Sequence, residues 1–181
     1  CDAKFIARRL GYNPDAWKLI ADEHSRYRLM FYSKGKLAPK CLCTTSSSAS
    51  PNKKWKRNIN YHTSPNSSKT LHGSQVVWSN KSDDFFVYDN LLQTAYYTKI
   101  VTRLSFEFKK NISNNEVIYA NRHRCLLMKS EELGYQVWVF TDYFNKKEAI
   151  PYDCIFLFEA CTDAPKVWAY DEAVCLPSEH C

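Results

Sequence analysis

The chain has 181 residues, of which 45% are hydrophobic and 15% aromatic, and it carries a formal net charge of +6. This length fits one domain, which we expect to cover residues 1–181. The sequence contains no run of about 18 apolar residues, which excludes a membrane-spanning helix. Its basic residues are scattered, which argues against a nucleic-acid partner, although the net charge permits an anionic one.

The cysteines and the glycosylation sequons point to the secretory pathway. Eight cysteines, an even number, predict a disulfide framework and an oxidising compartment. The Cys41-x-Cys43 spacing differs from the CxxC pairs of zinc sites, so we expect no metal. Sequons begin at Asn66, Asn80 and Asn111. We therefore expect a secreted, extracellular glycoprotein, whose first residue is a processed N-terminus.

The chain begins with a predicted arm over residues 1–13. The next stretch, Asp15 to Tyr32, predicts a short helix followed by the first strand. Apolar residues that include Trp17 recur at helical spacing in its first half, where Asp15 can cap the helix. The aromatic and apolar run from Tyr27 onwards is typical of a strand. A short helix that leads directly into a long strand suits the closed end of a small barrel.

The next strands are predicted at Lys40–Thr45 and Lys53–His62, with a Ser-rich loop over residues 46–52 between them. In the second of these strands Arg57 shares one face with bulky residues. They are Trp55, Ile59 and Tyr61. An Arg that is carried inward must be paired or must face a ligand, so a local ion pair and a ligand contact both remain open.

Later strands follow an exposed loop that is predicted over residues 63–70. They cover Val76–Ser79, Phe85–Tyr88, Tyr96–Lys109, Glu116–Met128 and Tyr135–Tyr143. A turn is predicted at Asn111–Asn115, and Lys129–Gly134 is expected to join the last two strands as a hairpin.

A helix is predicted over Ala149–Ala164, with Pro151 in its first turn, and a short strand is predicted within Lys166–Cys175. The order is therefore one short helix, about eight successive strands and a longer helix, without the strand–helix alternation of a parallel sheet. Such an order favours an all-β, antiparallel up-and-down barrel. About eight strands enclose room for side chains or one small ligand.

Several short motifs, in this order, resemble those of the tick salivary lipocalins, a family that includes histamine-binding proteins. They are Pro14-Asp15-Ala16-Trp17-Lys18, Glu116-Val117-Ile118 leading to Cys125, Gly134-Tyr135-Gln136-Val137-Trp138, Thr141-Asp142-Tyr143, and Pro151 to Cys154. The resemblance implies an eight-stranded lipocalin barrel with a short N-terminal helix and a C-terminal helix packed on its outside. It also implies a protein secreted by a blood-feeding tick, which we expect to be a monomer without a cofactor.

The resemblance further implies a disulfide between Cys125 and Cys154, and another from Cys41 or Cys43 to Cys175. Because the two cysteines of the CxC pair share a strand face, both could reach the terminal segment. The remaining cysteines are Cys1, Cys161 and Cys181. One arrangement uses the last of these beside Cys175 and leaves the first two for each other, but eight cysteines allow 105 pairings and the sequence leaves the choice open.

The residues that differ from the family pattern bear on the ligand. In the histamine-binding members a Glu occupies the position of Gln136, and an acidic stretch precedes the strand cysteine where this chain has residues 121–124. Glu116 keeps its acid, whereas Arg122 is expected to point inward or to the rim. An ammonium ion gains little Coulomb energy in such a site, which argues against histamine or serotonin. The expected ligand-binding residues are Tyr32, Trp55, Arg57, Leu104, Phe106, Phe108, Glu116, Arg122, Gln136 and Trp138.

Two binding functions follow from these expectations. The preferred one is evasion of host defence by stoichiometric binding of a host immune protein, such as a complement component, through loops at residues 46–52, 63–74 and 129–134. The alternative is sequestration of a leukotriene, fatty acid or sterol, and less readily of an amine, inside the barrel. The histidines match no known nucleophile or metal motif, so we expect no enzyme.

Overall fold

The computed structural model describes residues 1–34, 38–47, 56–66, 69–101 and 106–175. Within these ranges, the side chains of residues 64–66, 69–71, 96–101 and 106–110 lie outside the description.

Strands of the described chain form one antiparallel sheet that closes into a barrel. They are β1 Arg26–Tyr32, β2 Cys43–Ser46, β3 Lys56–Asn66, β4 Lys69–Asn80, β5 Leu91–Val101, β6 Phe106–Asn121, β7 Cys125–Ser130, β8 Gly134–Phe140 and β9 Val167–Trp168. Strands β2 to β8 pair in chain order, and β1 pairs with both β8 and β2. This closure confirms the predicted eight-stranded up-and-down barrel, and β9 extends the sheet beside β1.

The helices of the described chain are α1 Ala3–Leu10, α2 Ala16–Ile20, α3 Thr141–Lys147 and α4 Tyr152–Cys161. The helix predicted after Asp15 is present as α2. The Asp15 carboxylate caps it by accepting a hydrogen bond from the backbone amide of Lys18. The predicted N-terminal arm is wrong, since residues 3–10 form α1. The side chain of Asp2 caps this helix, and Gly11 ends it at a φ of 63°. None of the described helices has the length and apolar character needed to cross a membrane.

Several predicted strand boundaries are wrong in the middle of the chain. The stretch Tyr96–Lys109 is divided between β5 and β6, which pair from Leu91↔Glu116 to Val101↔Phe106. The predicted turn at Asn111–Asn115 lies inside β6. The predicted strand Phe85–Tyr88 forms turns and bends instead, and much of the predicted loop at 63–70 belongs to β3 and β4.

The remaining boundaries differ because short turns interrupt the predicted elements. Glu116–Met128 contains the turn at residues 122–124, so that β6 and β7 are separate strands. Strand Tyr135–Tyr143 ends at Phe140, and its last residues begin α3. The helix predicted over Ala149–Ala164 is shorter and covers Tyr152–Cys161. The strand predicted over Lys40–Thr45 is β2, which begins at Cys43 and ends at Ser46, and the last strand is the two-residue β9.

The barrel wall separates two hydrophobic clusters. The inner cluster joins the strands to α2 and includes Leu29, Tyr32 and Trp138. The outer cluster lies between the strands and α4 and includes Met30 and Phe31. A bulge in β1 between Leu29 and Phe31 explains how Tyr32 returns to the inner side after two consecutive outward residues.

Disulfides attach the helices and the C-terminal segment to the barrel. Cys125–Cys154 joins β7 to α4, with the two Cα atoms 6.3 Å apart, as the resemblance implies. Cys1–Cys161 joins the N-terminus to α4, and Cys41–Cys175 ties the β1–β2 connection to the terminal segment. Cys43 is also disulfide-bonded. The expectation that Cys181 is its partner falls outside the described residues.

Candidate functional site in the barrel interior

The inner wall formed by β1, β7 and β8 is apolar and aromatic. Leu29 is fully buried, and Tyr32, Leu126, Met128 and Trp138 each expose 8% or less of their surface. Alternation along each strand sends these side chains inward, while their neighbours pack beneath α4. These side chains pack against one another in the barrel interior, and they include Tyr32 and Trp138 from the expected ligand-binding set.

Gln136 lies at the centre of a neutral hydrogen-bond network on this wall. It is only 1% exposed. Its Nε2 donates to Ser130 Oγ at 3.1 Å and to Asn115 Oδ1 at 3.3 Å. Its Oε1 accepts a hydrogen bond from Trp138 Nε1 at 2.8 Å. These contacts satisfy a buried amide without introducing a charge.

Arg57 lies at the end of the interior that α2 closes. One Nη donates to the carbonyl oxygen of Ala21 at 2.7 Å, and the guanidinium lies 5.0 Å from the ring centroid of Trp17. Its Nε is buried without a hydrogen-bond partner among the described residues. The structure therefore gives Arg57 two partners within the chain, a helix-end carbonyl and an indole ring, neither of which forms an ion pair with it. Its Nε can still donate a hydrogen bond to a ligand.

Glu116 is not in the interior, contrary to its inclusion in the expected ligand-binding set. Alternation along β6 turns Val117 inward and Glu116 outward, onto the face of Ile118. The carboxylate accepts a hydrogen bond from the backbone amide of Ala3 at 3.4 Å, under α1. Burial raises the pKa of Glu116, and the Ala3 hydrogen bond partly offsets that effect.

Arg122 lies at the rim of the barrel, which is one of the two positions expected for it, and not in the interior. It lies in the β6–β7 turn and forms an ion pair with Asp22, with 46% of its side chain exposed. The turn places it on the outer rim of the end that α2 closes. A surface cleft of about 590 Å³ adjoins this rim, and its Asp22 and Asp142 carboxylates are each paired with an Arg.

The remaining expected residues stay predictions. Trp55 and Leu104 lie outside the described residues. Phe106 and Phe108 belong to β6, but their side chains lie outside the description.

The expected set omitted Asn115 and Ser130, the two partners of Gln136. Both were assigned to connections, Asn115 to a turn and Ser130 to a hairpin loop, whereas they lie in β6 and β7. Tyr61 was expected on an inward face, but its close packing over Gly73 was missed. Those two residues are paired across β3 and β4, and a Cβ at Gly73 would collide with the Tyr61 ring. Correct strand registers would have revealed all of these contacts.

A family model described as tick histamine binding protein matches residues 7–177, which is nearly the whole chain. The chain belongs to this tick histamine-binding protein family. A solved structure described as the crystal structure of an AM182 serotonin complex matches with a TM-score of 0.60 at 15% identity, and the match covers 95% of each chain. That similarity supports the fold alone. No curated protein sequence matches this one.

Family membership makes this tick lipocalin-like protein a member of a ligand-binding family and directs attention to the barrel interior. Two polar features of the described interior are relevant to ligand binding. Its wall offers a neutral amide at Gln136, and the cation Arg57 lies beside α2.

Proposed function

We propose that this tick lipocalin is secreted and sequesters one small host mediator inside its barrel by stoichiometric binding without turnover. The ligand has an apolar body and a neutral or anionic polar end, as leukotrienes, fatty acids and sterols have. The observation that carries this proposal is the buried, uncharged network of Gln136 on the inner wall.

Electrostatics argue against an amine ligand. Desolvating an ammonium ion is costly unless a carboxylate or several acceptors replace its water. The barrel strands contain two acidic residues, Glu107 and Glu116. The carboxylate of Glu116 faces outward under α1, and the side chain of Glu107 lies outside the description.

The apolar wall supplies the driving force for the proposed ligand. Removing apolar surface from water gains about 25 cal/mol per Å², so an extended hydrocarbon chain can bind without a salt bridge. Arg57 would receive an anionic end, because its Nε has no hydrogen-bond partner in the described chain. Trp138 and Tyr32 add aromatic contacts along the wall.

Tryptophan-quenching titrations test this proposal with oleic acid and a leukotriene against histamine and serotonin. The expected result is saturation at one lipid per chain, with each amine at least ten times weaker. The Arg57→Gln variant should weaken binding of the anionic lipids, whereas Arg122→Gln, which alters an exposed Arg outside the barrel, should not. Tight amine binding together with absent lipid binding would contradict the proposal.

Binding of a host immune protein, such as a complement component, has weaker support than a small ligand. The family model that matches this chain is named for a small-molecule ligand rather than for a protein partner. Two of the three loops expected to contact such a protein offer less adaptable surface than predicted. Residues 69–74 belong to β4, and Leu133 of the β7–β8 turn is buried. Pull-down from host serum remains the test of that alternative.

A further inference from the structure

Two histidines face each other on the outside of the barrel, away from the proposed ligand site. His62 on β3 and His72 on β4 are direct cross-strand partners. The rings are 4.6 Å apart between centroids and inclined at 80°. The Nδ1 atom of each ring contacts the Nδ1 atom of the other. Alternation places both rings on the outer face, opposite to inward-facing Tyr61 and Gly73.

This arrangement matches the geometry of a chelating pair. A cation held by two imidazoles takes one nitrogen lone pair from each ring, at about 2.0–2.1 Å for Zn²⁺. Nitrogens that already face each other need only a small side-chain rotation to admit the ion. Because the strand pairing fixes both backbones, little conformational freedom is lost when the ion binds.

We propose that His62 and His72 form a bidentate site for a divalent transition-metal ion, with Zn²⁺ as the reference ion and water in the remaining positions. Imidazole nitrogen suits Zn²⁺, Cu²⁺ and Ni²⁺, and it disfavours Mg²⁺ and Ca²⁺, which prefer oxygen ligands. His72 is exposed and His62 is half-buried, so the ion has access from solvent.

Thiolate ligands are not part of this site. Cys43 lies opposite His62 on β2 but is disulfide-bonded. A second group of possible metal ligands in the described chain consists of Cys125, Asp153 and Cys154. Its two sulfurs form a disulfide, so they cannot bind a metal as thiolates. The proposed site consequently depends on imidazole nitrogens, and it is independent of the barrel ligand.

Calorimetric titration of untagged protein with ZnCl₂ at pH 7.5 tests the site. Wild type should bind one Zn²⁺, and His62→Gln and His72→Gln should each lower the affinity at least about tenfold, in line with the cost of disturbing a metal's protein partners. His24→Asn is the matched control, since His24 is exposed with a φ of 63° that Asn tolerates. Unchanged binding in either Gln variant, or an equal loss in the control, would overturn the proposal.

A second measurement needs no variant and so does not depend on how the variants fold. Diethylpyrocarbonate modifies accessible imidazoles, and peptide mapping locates the modified rings. Zn²⁺ should slow the modification of His62 and His72 several-fold and leave that of His24 unchanged. Equal reactivity of all three with and without Zn²⁺ would contradict a site at this pair.

Discussion

At the residue scale, we expect the ligand preference of the barrel to depend on whether one side chain, at position 136, carries a charge. Gln136 holds Trp138, Ser130 and Asn115 in a network that an amide satisfies with both its donor and its acceptor atoms. A carboxylate at position 136 would have no N–H group to donate to Ser130 Oγ and Asn115 Oδ1. It would also supply the negative charge that an ammonium ligand needs.

The Gln136→Glu variant should therefore bind serotonin or histamine at least ten times more tightly than wild type does. It should also be less stable, by about 1–3 kcal/mol, because a buried charge replaces a satisfied amide. Calorimetric titration and chemical denaturation measure the two effects. Gln136→Leu, which removes the network without adding charge, is the control and should gain no amine affinity.

A second residue, Asp153, links α4 to the barrel outside the ligand site. Its carboxylate accepts hydrogen bonds from Tyr119 Oη at 2.8 Å and Asn121 Nδ2 at 3.1 Å. Burial alone would raise the pKa of Asp153, but these bonds and the charge of Arg124 outweigh it and leave the pKa below its ordinary value. Burial, followed by the hydrogen bond to Asp153, raises the pKa of Tyr119 to about 12.

The lowered pKa of Asp153 makes its contribution to stability pH-dependent. A carboxyl group that is more acidic in the folded state stabilises the fold above its unfolded pKa, near 4, and loses this contribution as pH falls through the folded pKa. Asp153→Asn should cost about 1.5–3 kcal/mol at pH 7, the value of hydrogen bonds to a charged group. Urea denaturation should show this difference shrinking below pH 4. A difference that is constant from pH 7 to pH 3 would contradict the assignment.

At the scale of elements, α2 closes one end of the barrel because its apolar face and its C-terminal carbonyl both have partners there. Ala16, Leu19 and Ile20 pack into the inner cluster, and Arg57 binds the Ala21 carbonyl. A cation near the last turn of a helix is also favoured by the partial negative charge at that end.

Replacing Arg57 by Met should loosen this closure and lower the free energy of unfolding by about 1–2 kcal/mol, through loss of the hydrogen bond and the Trp17 contact. Arg57→Lys should recover part of that loss. The matched control, Arg122→Met, breaks an exposed ion pair and should cost less than about 1 kcal/mol. Denaturation curves of the three variants measure the differences, and equal losses for Arg57→Met and Arg122→Met would contradict the structural role.

The elements that were predicted well have local sequence patterns that favour the same secondary structure as their packing in the fold does. In α2, the Asp15 cap precedes apolar residues at helical spacing, and β1 and β8 are rich in aromatic and β-branched residues. The β5–β6 hairpin was missed because its connection over residues 102–105 contains no Gly, Pro or Asn. The Asn-rich residues 111–115 gave a false turn signal inside β6.

The same boundary errors limited the prediction of the site. Tyr32, Gln136 and Trp138 belong to strands whose predicted starts are one residue from the observed ones, and they reach the interior. Glu116 entered the expected set through the family resemblance, whereas it lies inside β6 and the alternation of that strand turns it outward. A shift of one residue in a strand exchanges its inner and outer faces. Residue types alone could therefore not assign this side chain to the correct face.

At the scale of the whole molecule, the barrel and its disulfides together hold the N-terminal and C-terminal segments in place. The N-terminus and β7 are both tied to α4, by Cys1–Cys161 and Cys125–Cys154. These covalent links hold the outer layer against the barrel wall. Such links suit a secreted binding protein, whose outer layer must resist unfolding outside the cell.

The Cys125→Ala/Cys154→Ala variant should fold into the same barrel with a free energy of unfolding lower by about 2–5 kcal/mol, the usual cost of losing a native disulfide. Urea denaturation measures the loss. Peptide mapping of wild type under non-reducing conditions is the accompanying control. A Cys125 peptide linked to any cysteine other than Cys154 would contradict the arrangement of β7 and α4.

We expect the barrel to take one apolar, non-amine mediator, and native mass spectrometry shows a bound mediator as an added mass. The protein, secreted from eukaryotic cells and enzymatically deglycosylated, is incubated with equimolar oleic acid, serotonin and histamine and sprayed under non-denaturing conditions. We expect a single added mass equal to one fatty acid, reduced in the Arg57→Gln variant. A dominant serotonin or histamine adduct, or no adduct at all, would contradict the account.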